Sequence, residues 1–264
     1  MTQQLVNTSV EGSVLVIRLC SPGDRNALTN ELREQLGDAV EHAQNNRAVR
    51  AVYLTGEGPT FCSGGNLNLL KNGSAPWTVH RRFRGMSRWL TPLITLDKPV
   101  VVGVRGQAVG GGFGLALTGD LLIAGQGAKF IPGFFRIGVV PDIGTMYHLP
   151  RLVGMAAAKR LLYSGATLSA QEALELGLVA QVVPDAQVDE VGLAQAVRLA
   201  NGPAEVMGLA KNLMARSFET SLQDMLAFEG FGQILAMSSP EFHEGLGAAL
   251  EGRPADFSRA ASDR

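Results

Sequence analysis

Two glycine-dense turns are the places where this chain could do chemistry. The first is Phe61-Cys62-Ser63-Gly64-Gly65-Asn66-Leu67, and the second is Gly106-Gln107-Ala108-Val109-Gly110-Gly111-Gly112-Phe113-Gly114. Each follows an apolar run and leads into a helix-like run. Glycine has no Cβ, so a ligand atom can approach such a backbone closely. The first N–H groups of a helix have no intrahelical partner, and the helix dipole favours negative charge there. Two such turns converging on one point form an oxyanion hole from main chain alone. Glycine clusters also serve as plain turns or linkers, and that reading stands beside the first. Neither turn is a phosphate loop, because no Gly-Lys-Ser/Thr follows, and neither opens a helix with the dinucleotide fingerprint.

A third segment, Ile137-Gly138-Val139-Val140-Pro141-Asp142-Ile143-Gly144-Thr145, holds one acid among apolar neighbours. Asp142 reads either as the N-cap of the short run Gly144 to Leu149 or as a buried functional carboxylate. In an apolar pocket its pKa rises toward a range useful for proton transfer. Cys20 and Cys62 give neither a disulfide framework nor metal-ligand spacing, so no metal is expected. Cys62 reads as a small buried residue rather than a nucleophile, since no histidine is placed to activate it.

The elements that must position these turns follow from pattern. Val14 to Leu19 is rich in β-branched residues and predicts a strand. Thr29 can cap a helix whose Leu32, Leu36, Val40 and Ala43 share one face. Val49 to Leu54 predicts the strand ahead of the first glycine turn. A polar stretch, Lys71 to Pro76, leads to an amphipathic helix over about Trp77 to Leu90. Pro99 opens the strand Val100 to Val102 ahead of the second turn, and Leu121 to Ala124 and Lys129 to Ile131 are further short strands. Alternating strands and helices argue for parallel pairing, right-handed crossovers and a sheet covered on both faces. Beyond Gly138 helix takes over: Ala156 to Tyr163, then a helix opened by the capping box Ser169-Ala170-Gln171-Glu172 and stopped at Gly177. After a brief extended run, Val179 to Val183, nearly everything from Val188 onward reads as helix. Leu222, Met225, Leu226 and Phe231 to Leu235 form an apolar face, and Phe242, Leu246 and Leu250 line the last helix, from about Pro240. Such faces pack on their own core or against another subunit. The organisation is read as a core domain over residues 1–200 and a helical C-terminal region over 201–264.

The chain has 264 residues, 46% of them hydrophobic and 18% charged, with a net charge of −1. A sizeable core is therefore possible, and the absence of a basic stripe argues against nucleic acid as a partner. No apolar run is long enough to span a bilayer. Met1-Thr2-Gln3-Gln4 lacks the charged-then-apolar pattern of a signal peptide, so a cytoplasmic location is expected.

Several stretches resemble the crotonase (enoyl-CoA hydratase/isomerase) superfamily, in that family's order and over nearly the whole chain. They are Arg25-Asn26-Ala27-Leu28, the first glycine turn, Gly106 to Asp120, Ile137 to Asp142, Leu149 to Gly154, Gly165 to Val183, and Glu251-Gly252-Arg253-Pro254. The resemblance implies an α/β fold, a spiral of ββα units with a helical C-terminal trimerisation region. It further implies homotrimers, alone or paired into hexamers, acyl-CoA thioester substrates and a place in fatty acid metabolism. CoA arrives as part of the substrate, so no separate cofactor is expected. Carried over residue by residue, the resemblance puts the oxyanion-hole N–H groups at Gly65 and Gly111. It runs the CoA path along Ser63, Gly64, Asn66 and Leu67, and places Arg25 and Ala27 at the nucleotide end. Arg25 reads equally well as a solvated surface residue. Asn66 stands where the family commonly has aspartate.

Two departures narrow the reaction. The family's hydratases use two glutamates, and here those positions are Gly114 and Phe134. Hydration needs one group to activate water and a proton to complete the addition, so ordinary enoyl-CoA hydratase activity is not expected. The resemblance matches Asp142 to the base of dienoyl-CoA and epoxide-CoA isomerases and to the nucleophile of 4-chlorobenzoyl-CoA dehalogenase. One carboxylate is enough to move a double bond, because the base takes a proton at one carbon and returns it at another. The expected function is an acyl-CoA isomerase acting through a thioester enolate, with Asp142 as proton shuttle. Phe134, with Phe135 and Ile143, either lines the acyl pocket and excludes water or packs in the core. The alternatives are a hydrolase or dehalogenase in which Asp142 attacks carbon, and an inactive acyl-CoA-binding homologue. His80 and Tyr147 are further polar groups near the expected pocket, and Lys211 is a candidate contact for a CoA phosphate of a neighbouring subunit.

Overall fold

The computed structural model describes residues 3–67, 71 and 75–258; residues 72–74 of the polar stretch lie outside them. The strands are β1 (Val6–Glu11), β2 (Val14–Leu19), β3 (Ala51–Gly56), β4 (Thr60–Cys62), β5 (Val100–Val104), β6 (Gln107–Val109), β7 (Leu121–Gly125), β8 (Lys129–Ile131), β9 (Leu168–Ser169) and β10 (Gln181–Val183). The helices of the first half are α1 (Asn30–Asn45), α2 (Pro76–Gly85), α3 (Leu90–Ile94) and α4 (Gly111–Ala116). Those of the second are α5 (Thr145–Val153), α6 (Met155–Ser164), α7 (Ala170–Glu175), α8 (Val188–Ala200), α9 (Ala204–Met214), α10 (Leu222–Met237) and α11 (Pro240–Glu251).

Two sheets result. A six-stranded sheet runs β1-β2-β3-β5-β7-β10, and a four-stranded sheet runs β4-β6-β8-β9. Apart from the β1–β2 hairpin and the β8–β9 pair, which are antiparallel, neighbouring strands are parallel. The chain repeatedly leaves a long strand of the first sheet and lays a short strand in the second: β3 to β4, β5 to β6, β7 to β8. Each repeat advances one position in both sheets, so segments far apart in sequence leave the small sheet side by side.

Period-two burial follows from the two cores. Leu15, Ile17, Val52, Leu54, Val100 and Val102 face the main core, which α1 closes with Leu32, Leu36, Val40 and Ala43. The alternate residues Val14, Val16, Ala51, Tyr53, Val101 and Ile123 face a second core under α8. Thr29 caps α1 through its hydroxyl, which accepts from Leu32 N at 3.2 Å. The capping box at Ser169 and Glu172 is present at the start of α7.

Three differences from the sequence reading have simple causes. β1 was not anticipated, because only Val6 of its six residues is buried and an exposed edge strand carries no alternation. β4 and β6 are three residues each, too short for a periodic signal. The helix expected over Trp77 to Leu90 stops at Gly85 and resumes as a 3-10 turn and α3. Glycine is a poor helix former, and the break lets Trp89 turn inward, where it is 3% exposed.

The C-terminal helices are attached by an ion pair. Arg50 reaches Glu241 at 2.9 Å, with both side chains buried, and its Nε donates to the Ala200 carbonyl at 2.7 Å. α10 buries no residue at all, leaving Leu222, Phe231 and Ile234 at 76%, 69% and 70% exposure. Among the described residues no helix is long and apolar enough to cross a membrane.

Candidate active site

β4 and β6 are parallel neighbours, pairing Thr60 with Gln107 and Cys62 with Ala108. The turns that follow them therefore emerge together. Gly64 has φ +76°, and a Cβ built there would sit 2.5 Å from Val109 O and 2.8 Å from Gly111 N. Both glycine clusters are glycine because their backbones lie against one another.

A third segment braces the first turn. Leu28 N donates to Gly64 O at 2.8 Å, and Ser63 N donates to Arg25 O at 3.0 Å. Asn26 organises this loop from a fully buried position. Its Oδ1 accepts from Ser21 N at 2.8 Å, and its Nδ2 donates to the carbonyls of Glu57, Thr60 and Phe61 at 2.9, 2.8 and 3.1 Å. Arg25 and Asn26 both have positive φ, 54° and 52°. Asparagine tolerates that region better than most residues, which is the sequence signal for its role.

Gly111 is the first residue of α4, so its N–H has no intrahelical acceptor. Among the described residues, neither Gly65 N nor Gly111 N donates to a main-chain oxygen. Both glycines line the same cleft.

Asp142 enters that space from the other side. Its Oδ1 lies 3.5 Å from the position a Cβ on Gly111 would take. The side chain is not an N-cap: Gly144 occupies that position of α5 and no side chain caps the helix. Only the Asp142 carbonyl helps, accepting from Thr145 N at 2.9 Å. Oδ1 is shut off from solvent and has no hydrogen-bond partner among the described residues. Burial raises the Asp142 pKa, while the charges of Arg33 and Arg82 pull the other way. Ile143, the next residue, is held at φ 49°, a strained value for a β-branched side chain.

These parts line one cleft of about 930 Å³ between α1 and α2, bordered by Gly65, Asn66, Gly111, Asp142, Arg33 and Trp89 among others. Of the expected site residues, Gly65, Asn66, Gly111 and Asp142 come together in it. Arg25, Ala27, Ser63, Gly64, Leu67 and Phe134 are not on its wall. Arg25 and Leu67 are exposed, Ala27 is buried, and Ser63 and Gly64 act through their backbones. Phe134 is buried in the main core, where its ring faces Gly110. Phe135 and Tyr163 face each other with ring centroids 5.7 Å apart.

The other candidates are engaged elsewhere. Tyr147 donates to Ala215 O at 3.0 Å and stacks under Arg151. His80 packs edge-on against Trp77. Lys211 pairs with Asp120 at 2.9 Å, and Asp120 also accepts from Val100 N at 2.7 Å. Burial pushes the Cys62 thiol up to about 12, so it stays protonated. Sequence reasoning missed Arg33, Arg82 and Trp89. In a helix of mixed charges Arg33 looks like an ordinary solvated residue, and only the packing of α1 against the Trp89 segment shows otherwise.

Fold and site together define an α/β protein in which two glycine turns meet beside one half-buried carboxylate. The family model described as enoyl-CoA hydratase/isomerase matches residues 9–260, and the chain belongs to this family, within the crotonase superfamily. It is 34% identical over 260 residues to the 1,2-epoxyphenylacetyl-CoA isomerase of Escherichia coli (strain K12), covering 96% of this chain and 98% of the relative. It is 31% identical over 237 residues to 4-chlorobenzoyl coenzyme A dehalogenase-1 of an Arthrobacter sp., covering 88% and 86%. Among solved structures, an enoyl-CoA hydratase from Polaromonas sp. JS666 matches with a TM-score of 0.91 at 32% identity, covering 95% of this chain and 98% of that one. The α/β fold implied by the resemblance is the one found.

Proposed function

We propose that this family member is an acyl-CoA isomerase that moves a carbon–carbon double bond, with Asp142 as the proton shuttle. One observation carries the reading: the Asp142 carboxyl lies beside Gly111, in the same cleft as Gly65. The Asp142 carboxylate removes a proton from C2 of a 3-enoyl thioester. The electron pair moves onto the thioester oxygen and gives a dienolate, which the N–H groups of Gly65 and Gly111 hold. Asp142 then returns the proton to C4, and the product is the 2-enoyl thioester. No water is consumed, in keeping with Gly114 and Phe134 at the positions of the hydratase acids. Each main-chain donor is worth about 3 kcal/mol of barrier. Burial raises the Asp142 pKa, which makes it a stronger base toward carbon.

In this reading the loop around Arg25 and Ala27 and the turn Ser63-Gly64-Asn66-Leu67 carry the CoA moiety toward solvent. A homotrimer, alone or paired into a hexamer, a cytoplasmic location and a role in fatty acid metabolism belong to the same proposal. The bare apolar face of α10 supports the oligomer.

The dehalogenase relative favours one competitor, in which the Asp142 carboxylate attacks the halogen-bearing ring carbon of an aryl thioester, expels halide and forms an aspartyl ester that water then hydrolyses. Incubation with a 3-enoyl-CoA in heavy water separates the readings. The isomerase produces 2-enoyl-CoA absorbance and takes up deuterium, and Asp142→Asn abolishes both. Binding without turnover marks an inactive homologue, and an adduct on Asp142 from an aryl-CoA marks the nucleophile; either result displaces the isomerase.

A further inference from the structure

A carboxylate must be ionised before it can take a proton, and the surroundings of Asp142 work against that. Burial raises its pKa, and a contact ion pair is one common remedy. Among the described residues Asp142 has no ion pair.

Two cations share the cleft with it. Arg33 comes from α1 and Arg82 from α2, and both border the cleft half-buried, as Asp142 does. The packing draws the three together. Leu28 Cδ1 and Asp142 Oδ1 lie 3.3 and 3.5 Å from the one Cβ position at Gly111, so the residues that lead into α1 stand against the acid. Gly37 lies one helical turn after Arg33, and a Cβ there would come 3.3 Å from Trp89 Cβ. Glycine thus seats on α1 the segment that follows α2. Burial, and then the Arg82 charge, draw the Arg33 pKa down, while Asp142 and Cys62 push it up. Like charges brought near one another repel, yet among the described residues neither arginine has an ion pair.

The repulsion has a use at Asp142. Against burial, Arg33 and then Arg82 pull the acid's pKa down. The other ionisable groups nearby do less. Glu31, Glu34, Asp38 and Glu41, with Arg81 and Arg88, are exposed on the rim of the cleft, where water and salt screen them. Cys62 stays protonated, and burial and then Arg151 draw the His148 pKa down, so that ring is neutral. A contact ion pair would tie up the carboxylate oxygens and weaken them as a base. Cations set further off keep the charge and leave the oxygens free.

We infer that Arg33 and Arg82 are positioning residues that keep the Asp142 carboxylate ionised from across the cleft, without contact. The inference rests on reading Asp142 as the base, and its test needs no turnover. In carbon-13 NMR of protein labelled at the aspartate carboxyls, the Asp142 resonance is the one that Asp142→Asn removes. Its titration midpoint is expected to rise by about half a unit to one unit in Arg33→Met and in Arg82→Met, short of the roughly 1–3 units of a contact pair. Arg33→Lys, which restores the charge, is expected to keep the wild-type midpoint. Arg84→Met is expected to keep it too, because Arg84 is exposed on α2 and does not border the cleft. Unchanged midpoints in both methionine variants overturn the inference, as does a shift in Arg33→Lys equal to that in Arg33→Met. Where circular dichroism shows Arg33→Met unfolded, Arg82→Met and Arg82→Glu decide, the reversed charge moving the midpoint about twice as far as the lost one; no shift in either overturns the inference. The acid limb of kcat/KM for a 3-enoyl-CoA is expected to move with the midpoint. If the midpoints move but no 3-enoyl-CoA is isomerised, the isomerase reading fails while the hold of the two arginines on Asp142 stands.

Discussion

Gly64→Ala tests whether the two glycine turns hold each other in place. Two costs can be worked from the structure. The backbone there has φ +76°, which an L side chain adopts at about 1–2 kcal/mol. The new methyl would also lie 2.5 Å from Val109 O and 2.8 Å from Gly111 N, where ordinary contact begins near 3.4 Å. Both neighbours are backbone, so the turns must part by about 0.6 Å at Gly111 N. Overpacking of this kind adds about 1–3 kcal/mol, and a Tm lower by several degrees follows. A shift of that size exceeds the roughly 0.5 Å to which a reacting constellation must be held. The isomerisation rate is therefore expected to fall by about the worth of one oxyanion donor, 10²–10³-fold. Gly177→Ala is the control, because Gly177 has φ +75° but nothing within 4 Å of its Cβ position. It carries the conformational cost without the collision. Differential scanning fluorimetry and the rate of 2-enoyl-CoA formation give the two readouts. If Gly64→Ala matches Gly177→Ala in both, contact between the turns does not organise the site and the reasoning fails.

Further outcomes follow from individual residues. Asn26→Ala strips a buried side chain of four hydrogen bonds; it is expected to lower the urea midpoint by about 2–4 kcal/mol of stability and to weaken turnover with it. Glu241→Ala leaves Arg50 buried and unpaired, for an expected loss of about 3–5 kcal/mol in the same measurement. Asp142→Asn is expected to cut kcat by at least 10²–10⁴-fold yet to raise the neutral-pH Tm. Burial raises the folded-state pKa of Asp142 above its unfolded value. The stability contribution of that carboxyl is thus present below the unfolded pKa, about 4, and is lost as pH rises through the folded pKa. The Tm gain of the asparagine variant must therefore shrink on acidification, and a gain that is flat with pH contradicts the buried-charge account. Gly114→Glu is expected to yield no hydration of a 2-enoyl-CoA, and to lower both Tm and isomerisation.

The sequence carried the frame of the site but not its walls. Thr29, the Ser169 capping box and the stripe Leu32-Leu36-Val40-Ala43 are local rules, and local rules are legible residue by residue. The glycine turns were legible as places for close backbone approach. Their convergence was not, because it comes from the pairing of β4 with β6, three-residue strands with no period to read. Asp142 read as cap or catalyst, and only the cap reading is removed, because Gly144 holds the N-cap position of α5. Arg33 and Trp89 escaped notice because their place on the cleft depends on a helix contact through Gly37, and a lone glycine inside a helix has many explanations. Phe134 was offered as pocket or core, and the core packing around Gly110 holds it.

The absent glutamate at position 114 and the presence of Asp142 are one structural fact rather than two. A Cβ on Gly114 would meet Thr145 Oγ1 at 2.6 Å and Ile143 O at 2.8 Å. The start of α5 thus occupies the space a side chain at 114 would need. That close approach is what carries Asp142 Oδ1 to within 3.5 Å of the Cβ position at Gly111. Ile143 absorbs the geometry in its strained backbone, and the buried hydroxyl of Thr145 has no partner there. A second acid at 114 and the observed Asp142 therefore compete for the same volume. Glutamate at 114 is expected to push α5 away, and with it Asp142, the proposed proton shuttle, rather than add a water-activating carboxylate, so gain of hydration together with retained isomerisation would contradict this account.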